Sequence, residues 1–184
     1  MNEDTLVKLE QRLGRLHARQ RLGIETDHEA QIFGQGLTFF HLENWHSAPS
    51  IIRAALKLTG LYWRAKKNAE RIVVKHNDIA FKNLPSLFEG YTILHISDMH
   101  ADMNEAAMQR LINLVGAMRY DLCVLTGDYR GKTFGPFEPA LNVVGRVLGH
   151  LKGPIYGVFC NHDTIRMLPG LKPWAYECFL TSAR

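Results

Sequence analysis

The chain has 184 residues, of which 46% are hydrophobic and 22% charged, with 22 Lys and Arg against 18 Asp and Glu. This length fits one ordinary domain, and the apolar content is enough to bury a core, which excludes a disordered or fibrous protein. No apolar run approaches the eighteen or so residues that a membrane span needs. The basic excess is too small and too evenly divided between the two halves to predict a nucleic-acid partner.

The start of the chain and its cysteines both indicate an intracellular protein. Residues 1–5 are acidic, whereas a signal peptide begins with a basic and then an apolar region. Cys123, Cys160 and Cys178 are odd in number and widely spaced, so no disulfide framework is expected. We therefore predict a cytoplasmic location, with the alternative of a protein peripheral to the membrane.

Residues 1–70 are predicted to form a helical N-terminal extension. A helix over residues 3–22, ended by Gly23, is indicated by leucines that recur near a period of 3.6, namely Leu6, Leu9, Leu13 and Leu16. Residues 24–49 show no clear period. A second helix is predicted from about Ile51 to Glu70, after a loop at Ser47-Ala-Pro-Ser50.

The second predicted helix is basic and amphipathic. Between residues 53 and 75 the chain has seven Lys and Arg and a single acid, Glu70. With Tyr62 and Trp63 at its end, this helix is typical of one that lies on an anionic membrane surface, which would give peripheral contact through residues 51–75. The commoner outcome of such a pattern is an apolar stripe packed on the protein with solvated basic side chains. The sequence leaves both interpretations open.

From residue 71 the pattern changes to short apolar runs. Residues 72–81, with His76-Asn-Asp78 at their centre, predict a short hairpin. Three runs of strand length follow, at 92–96, 122–126 and 155–159. Two helical stripes separate them: Met108, Leu111, Ile112, Val115 and Met118, with Asn104 as N-cap, and then Leu141, Val144, Val147, Leu148 and Leu151. This βαβαβ order predicts an α/β fold with a parallel sheet and right-handed crossovers.

Polar side chains directly follow each of the three predicted strands. They are Asp98 and His100, then Asp128, then Asn161 and His162. Because active-site residues gather at the carboxyl ends of parallel strands, we expect these groups to converge. Carboxylates, an imidazole and an amide oxygen suit divalent ions such as Mn, Fe, Zn or Mg, and a carboxylate can bridge two of them. Each fragment alone is weak evidence, whereas the ordered set is specific.

These fragments resemble the successive motifs D-x-H, G-D-x-x-D and G-N-H-[DE] of the calcineurin-like metallophosphoesterase superfamily, over roughly residues 70–170. The resemblance implies that residues 71–184 are the first βαβαβ half of a four-layer αββα sandwich. It implies two divalent metal ions and hydrolysis of a phosphomonoester or phosphodiester by a metal-bound hydroxide. The lead-in from Leu84 to Gly90 resembles bacterial, membrane-associated members, some of which act on lipid-linked phosphates.

The resemblance also implies a role for each residue that matches a motif. Asp98 and His100 would bind the first metal, Asp128 would bridge, and Asn161 would bind the second. His162 would hydrogen-bond the phosphoryl oxygens or protonate the leaving group. Two positions depart from the motifs: Gly131 stands where an acid is common, and Cys160 replaces Gly. If position 160 requires a left-handed backbone, Cys there costs about 1 to 2 kcal/mol and shifts Asn161.

The later motifs of the family, a lone His and G-H-x-H, have no counterpart, because the last of the nine histidines is His162. His41 and His46 are alternative ligands, although a packed surface pair is the commoner explanation. Residues 171–184 predict no further strand. We therefore expect a domain that is incomplete at its C-terminus, with the third strand as an exposed edge and with marginal stability.

Two other functions fit parts of the sequence. Gly127 to Thr133 resembles a nucleotide-binding loop, but it has three residues between its glycines instead of four, and Phe134-Gly-Pro136 blocks the helix that should follow. The second alternative is a non-enzymatic binding protein or a catalytically defective fragment that lacks the later His ligands. Metal binding and turnover distinguish it from an enzyme.

Overall fold

A computed structural model describes residues 3–34, 48–171 and 177–180 of the chain. It divides into two compact units, Met1–Arg71 and Ile72–Arg184. The helices are α1 (Glu3–Leu13), α2 (Arg15–Gly34), α3 (Ala48–Leu58), α4 (Tyr62–Ala69), α5 (Glu105–Ala117), α6 (Glu138–Leu148) and α7 (Leu168–Leu171). The strands are β1 (Ile93–Ile96), β2 (Leu122–Leu125), β3 (Ile155–Phe159) and β4 (Glu177–Leu180).

The first predicted helix is divided in two. α1 ends at Leu13 because Gly14 adopts φ of 81°, which the right-handed helix does not allow. The predicted end at Gly23 is wrong, since α2 continues through it to Gly34. A glycine inside a helix costs only about 1 kcal/mol, and the ion pair between Arg21 and Glu25, with 3.3 Å between Nε and Oε1, spans this position.

The second predicted helix is also two helices. α3 ends at Leu58, and Gly60, with φ of 70°, turns the chain into α4. No residue of α4 is buried, and the residues of α3 from Ser50 onward are exposed except for a half-buried Leu56. Among the described residues, no helix combines the length and apolar character that crossing a membrane requires.

The predicted hairpin at residues 72–81 is wrong. This segment has no helix or strand, and its apolar side chains Val73, Ile79 and Phe81 are 61%, 72% and 67% exposed. A two-stranded hairpin is marginal unless a hydrophobic face packs on something else, and these exposed side chains have no such support.

The second unit contains a parallel sheet in the order β1-β2-β3-β4. The three predicted strands and the α/β class are confirmed. The prediction that no strand follows residue 171 is wrong, because β4 pairs with β3 through Tyr156 opposite Glu177 to Phe159 opposite Leu180. β3 is therefore an inner strand of the sheet and not the exposed edge that was expected.

Helices α5 and α6 are the crossover connections and pack against each other. Asn104 caps α5 as predicted, since its side chain accepts a hydrogen bond of 3.1 Å from the backbone N–H of Ala107. The predicted stripes are buried at Met108, Leu111, Ile112 and Val115 in α5 and at Val144, Val147 and Leu148 in α6. Both crossovers carry the chain back to the amino end of the next strand, so the carboxyl ends of β1, β2 and β3 share one edge.

Candidate metal centre

Three of the predicted ligands converge at this edge. Asp98 and His100 follow β1, and Asp128 follows β2. One ligand atom from each of the three side chains lies within 4.8 Å of the other two. Asp98 is exposed, and His100 and Asp128 are half-buried. The group is therefore partly accessible to solvent. These three residues form a candidate metal-binding group.

The same three residues have left-handed backbones. The φ angles are 53° for Asp98, 39° for His100 and 53° for Asp128, and no other described residue besides glycine has a positive φ. Each such residue costs about 1 to 2 kcal/mol, and such strain persists only where the surrounding structure imposes it. Here the Asp98 N–H donates to the Gly127 carbonyl at 3.2 Å and the His100 N–H to the Asp128 carbonyl at 2.9 Å. The two strand-end loops thus hold each other in the strained form.

Two imidazoles at the site each make a hydrogen bond from Nδ1 to a backbone carbonyl. His100 Nδ1 lies 2.9 Å from the Arg130 carbonyl oxygen, and His162 Nδ1 lies 3.0 Å from the Gly131 carbonyl oxygen. A carbonyl oxygen only accepts, so Nδ1 carries the proton in both rings and Nε2 keeps its lone pair when the ring is neutral. The ring centroids are 5.1 Å apart. His100 therefore has the tautomer that ligates a metal through Nε2.

The buried side chain of Asp163 links the loop after β2 to the loop after β3. It is 2% exposed, and its carboxylate accepts three backbone N–H groups: Asp128 at 2.8 Å, Tyr129 at 2.8 Å and Cys160 at 3.0 Å. Burial raises the pKa of this carboxyl, and the three N–H donors oppose that effect. Asp163 occupies the [DE] position of the third family motif, to which the sequence motifs alone assign no role. The feature of the sequence that could have identified Asp163 is its position two residues after Asn161, a predicted ligand.

The loop after β3 approaches Gly127 closely. Gly127 has φ of 89°, and a Cβ on it would lie 2.6 Å from Cys160 Cβ and 2.7 Å from Cys160 N. The expected left-handed backbone at Cys160 is not found, because its φ is not positive. Position 127, not position 160, is the one at this contact that requires glycine. The substitution of Cys for Gly at position 160 therefore does not strain the loop.

The thiols of Cys123 and Cys160 have raised pKa values and lie outside the candidate metal group. Burial is the main cause that raises the pKa of Cys160, and the negative charges of Asp128 and Asp163 raise it further. Burial raises the pKa of Cys123, inside β2, to about 12. A raised pKa disfavours the thiolate, the form that binds metals, and neither of these cysteines belongs to the convergent group of Asp98, His100 and Asp128.

The remaining predicted residues lie on the loop after β3. The His162 N–H donates to Asp128 Oδ1 at 3.3 Å, which places His162 beside the candidate group. Asn161 is exposed, and its Oδ1 accepts from the Cys160 thiol at 3.2 Å. The roles of Asn161 and His162 stay predictions. His41 and His46, the alternative ligands, lie outside the described residues.

Gly131, where the family motif has an acid, is packed against the loop after β1. A Cβ here would lie 2.4 Å from Met103 Cγ and Sδ, and 3.4 Å from Asp102 Oδ1. The Gly131 N–H donates to Asp102 Oδ1 at 2.7 Å. A carboxylate therefore lies next to this position, although it comes from a different strand end. Asp102 was not singled out from the sequence.

A model of the calcineurin-like phosphoesterase family matches residues 91–182, which is half of the chain. The matched segment contains β1 to β4 and every residue of the candidate metal group. No curated protein and no solved structure matches the chain. Two carboxylates and one imidazole are ligands that divalent ions of this family accept. The chain belongs to the calcineurin-like phosphoesterase family.

Proposed function

We propose that this protein hydrolyses a phosphomonoester or phosphodiester at a site with two divalent metal ions. The observation that carries the proposal is the convergence of Asp98, His100 and Asp128, whose ligand atoms lie within 4.8 Å of one another. These residues have strained backbones that hydrogen bonds between loops maintain. Strain of this kind is concentrated at functional sites. The ligand group is therefore formed before any substrate binds.

The donor set of the site fits Mn, Fe, Zn or Mg. Asp98 and His100 would hold one ion, Asn161 the other, and Asp128 would contact both. Divalent ions at such a site lower the pKa of water and neutralise charge on the phosphoryl oxygens. His162, which donates from Nδ1 to Gly131, has Nε2 available to hydrogen-bond a phosphoryl oxygen or to hold a proton for the leaving group.

Three finer proposals concern the organisation and setting of the reaction. We propose a helical extension over residues 1–70 and a phosphoesterase domain from residue 71, and the two compact units support this boundary. The substrate is proposed to be lipid-linked, on the resemblance of residues 84–90 to bacterial members that act on such phosphates. The proposed location is cytoplasmic, peripheral to the membrane.

Hydrolysis of p-nitrophenyl phosphate and its bis ester with added Mn²⁺ tests the reaction. We expect turnover in the natural chain, and its loss in Asp128→Ala. Asp121→Ala is the matched control, since Asp121 lies before β2, at the opposite end of the strands, and accepts the Thr92 N–H at 2.7 Å. Equal activity in natural chain and Asp128→Ala would contradict the proposal.

A second function is favoured by one observation, that the candidate metal group among the described residues contains a single imidazole, that of His100. Beside two carboxylates, this group has fewer nitrogen donors than the family motifs provide. A protein of this kind would bind metal or phosphate without hydrolysis. Mn²⁺ binding that Asp128→Ala abolishes, together with no turnover of either ester, would support this binding function.

We also propose that α3, α4 and the basic segment that follows, residues 51–75, contact an anionic membrane surface. Ile52 is 59% exposed, Leu58 90% and Trp63 73%. Lys57 Nζ lies 5.5 Å from the centre of the Tyr62 ring, and Lys66 Nζ lies 5.8 Å from a ring centre of Trp63. Exposed apolar side chains beside cationic ones fit the boundary between acyl chains and anionic headgroups.

Sedimentation with vesicles tests this contact. The natural chain is expected to bind vesicles of anionic phosphatidylglycerol and not vesicles of neutral phosphatidylcholine. Leu58→Ser should weaken binding about 10- to 150-fold, because a buried leucine contributes about 1.5 to 3 kcal/mol. Leu16→Ser is the matched control, since Leu16 is 73% exposed on α2. An equal loss in both variants, or no binding to anionic vesicles, would contradict the contact.

A further inference from the structure

Arg130 lies two residues after Asp128 of the candidate metal group and has a buried charged side chain to which the sequence motifs give no role. It is 4% exposed, and its guanidinium donates to three backbone carbonyls on two segments. Nε donates to the His162 carbonyl, Nη2 to the Thr133 carbonyl at 2.8 Å, and Nη1 to the Gly135 carbonyl at 3.2 Å. The side chain therefore fastens the loop after β2 to the loop after β3.

The backbone of the same residue accepts from one of the two imidazoles. The Arg130 carbonyl receives the His100 Nδ1–H, and the next carbonyl, that of Gly131, receives the His162 Nδ1–H. Two consecutive carbonyls thus set the tautomers of both rings. Their positions depend on the stretch of chain that the guanidinium holds in place.

We propose that Arg130 is a positioning residue that fixes the tautomer and orientation of His100 and His162. Its guanidinium holds the 130–135 loop against the His162 backbone, and the loop in turn presents two carbonyls to the Nδ1 atoms. Both rings then keep Nε2 free of the proton, as metal ligation by His100 requires. The value of this arrangement for metal binding rests on the proposed function, whereas the tautomers themselves do not.

The geometry requires arginine in particular. The three acceptors lie at Nε, Nη1 and Nη2, so all three nitrogens of the planar fork are used. Lysine carries the same charge on a single nitrogen and does not reproduce three donors in fixed directions. Arg130→Lys is therefore the informative change, because it keeps the charge and removes the fork.

The first experiment measures the tautomers in the natural, full-length chain without metal. Long-range ¹H–¹⁵N correlation spectra at about pH 8.5, where ordinary imidazoles are neutral, distinguish Nδ1–H from Nε2–H. We expect Nδ1–H for both His100 and His162. An Nε2–H tautomer in either ring would overturn the proposal. Because no metal or substrate is involved, this result does not depend on whether the protein hydrolyses phosphoesters.

The second experiment compares Arg130→Lys and Arg130→Gln with the natural chain. Each variant should move His162, and to a lesser degree His100, toward the Nε2–H form that free imidazole prefers. Affinity for Mn²⁺ should fall about 10- to 100-fold, as for other groups that orient a metal-binding histidine. Arg146→Lys is the control, because Arg146 is an exposed residue of α6 that pairs with Glu105.

The outcomes separate positioning from simple stability. Unchanged tautomers in folded Arg130→Lys and Arg130→Gln would overturn the proposal, whatever the turnover. Failure of both variants to fold would also overturn it, since Arg130 would then act on the stability of the whole unit. If tautomers shift in the variants but natural chain binds no Mn²⁺, the positioning role stands and the proposed phosphoesterase function fails.

Discussion

The strand-end loops of the sheet unit and the helix pair α3–α4 use charged residues in opposite ways. In the loops, Asp163 and Arg130 are 2% and 4% exposed and hydrogen-bond to the backbone of neighbouring segments. In the helix pair, Lys57 and Lys66 lie over the rings of Tyr62 and Trp63, and almost every residue is exposed. The loops are fixed by internal contacts before a ligand arrives, whereas the helix pair leaves its side chains available for an external surface.

Both regions contain a glycine with positive φ, and this pair of glycines gives the largest expected difference. Gly127→Ala should lower the free energy of unfolding by about 3 kcal/mol, from left-handed strain of about 1 to 2 kcal/mol and overlap with Cys160. Gly60→Ala should cost only about 1 kcal/mol, because no atom lies within 4 Å of the added Cβ. Urea unfolding measures both. Equal costs would show that the loop packing at Gly127 is loose.

The second largest effect is expected at Asp163. Asp163→Ala leaves three N–H groups without their acceptor, that of Tyr129 buried and those of Asp128 and Cys160 part-buried, and should destabilise the sheet unit by about 3 kcal/mol. Asp163→Asn should lower the free energy of unfolding by about half as much as Asp163→Ala. The amide oxygen of Asn still accepts hydrogen bonds, but its NH₂ group faces an N–H donor. Hydrogen exchange of the β2 and β3 amides measures the change.

Asp121→Ala provides the control for that experiment. Asp121 also accepts a backbone N–H, from Thr92, but at an exposed position. Water replaces the lost acceptor there, so the expected cost is below about 1 kcal/mol. A cost at Asp121 equal to that at Asp163 would contradict the claim that burial makes the Asp163 contacts strong.

The smallest effect is expected for Cys160→Gly. Because φ at Cys160 is not positive, glycine relieves no strain there and should destabilise the chain by less than about 1 kcal/mol through added backbone freedom. Thermal unfolding measures the change. A clear gain in stability would restore the original expectation that Cys strains this loop.

The sequence alone predicts those features of the sheet unit that depend on local patterns. The strand runs, the Asn104 cap and the stripes of α5 and α6 follow from periodicity and capping, and the structure confirms them. The convergence of Asp98, His100 and Asp128 follows from parallel topology, because each comes directly after a strand. These features depend on residues close together in the chain or on a general rule of the fold.

The features that sequence reasoning missed depend on contacts between distant segments. Gly14 and Gly60 break the predicted helices while Gly23 does not, and only the backbone conformation separates the three. The roles of Asp163 and Arg130 depend on contacts between the loops after β2 and β3, which lie more than 30 residues apart in the chain. β4 was missed because its residues show no strong alternation of apolar and polar side chains. It is defined as a strand by its pairing with β3.

The most direct test of the account is Mn²⁺ binding to the full-length chain, followed by electron paramagnetic resonance of the free ion. The natural chain and the Asp121→Ala control should bind Mn²⁺ with the same affinity. Asp98→Ala and Asp128→Ala should each weaken binding about a hundredfold or more, because each removes one of the three converging ligands. Binding of the same strength in all four proteins would contradict the assignment of the metal centre to the ends of β1 and β2.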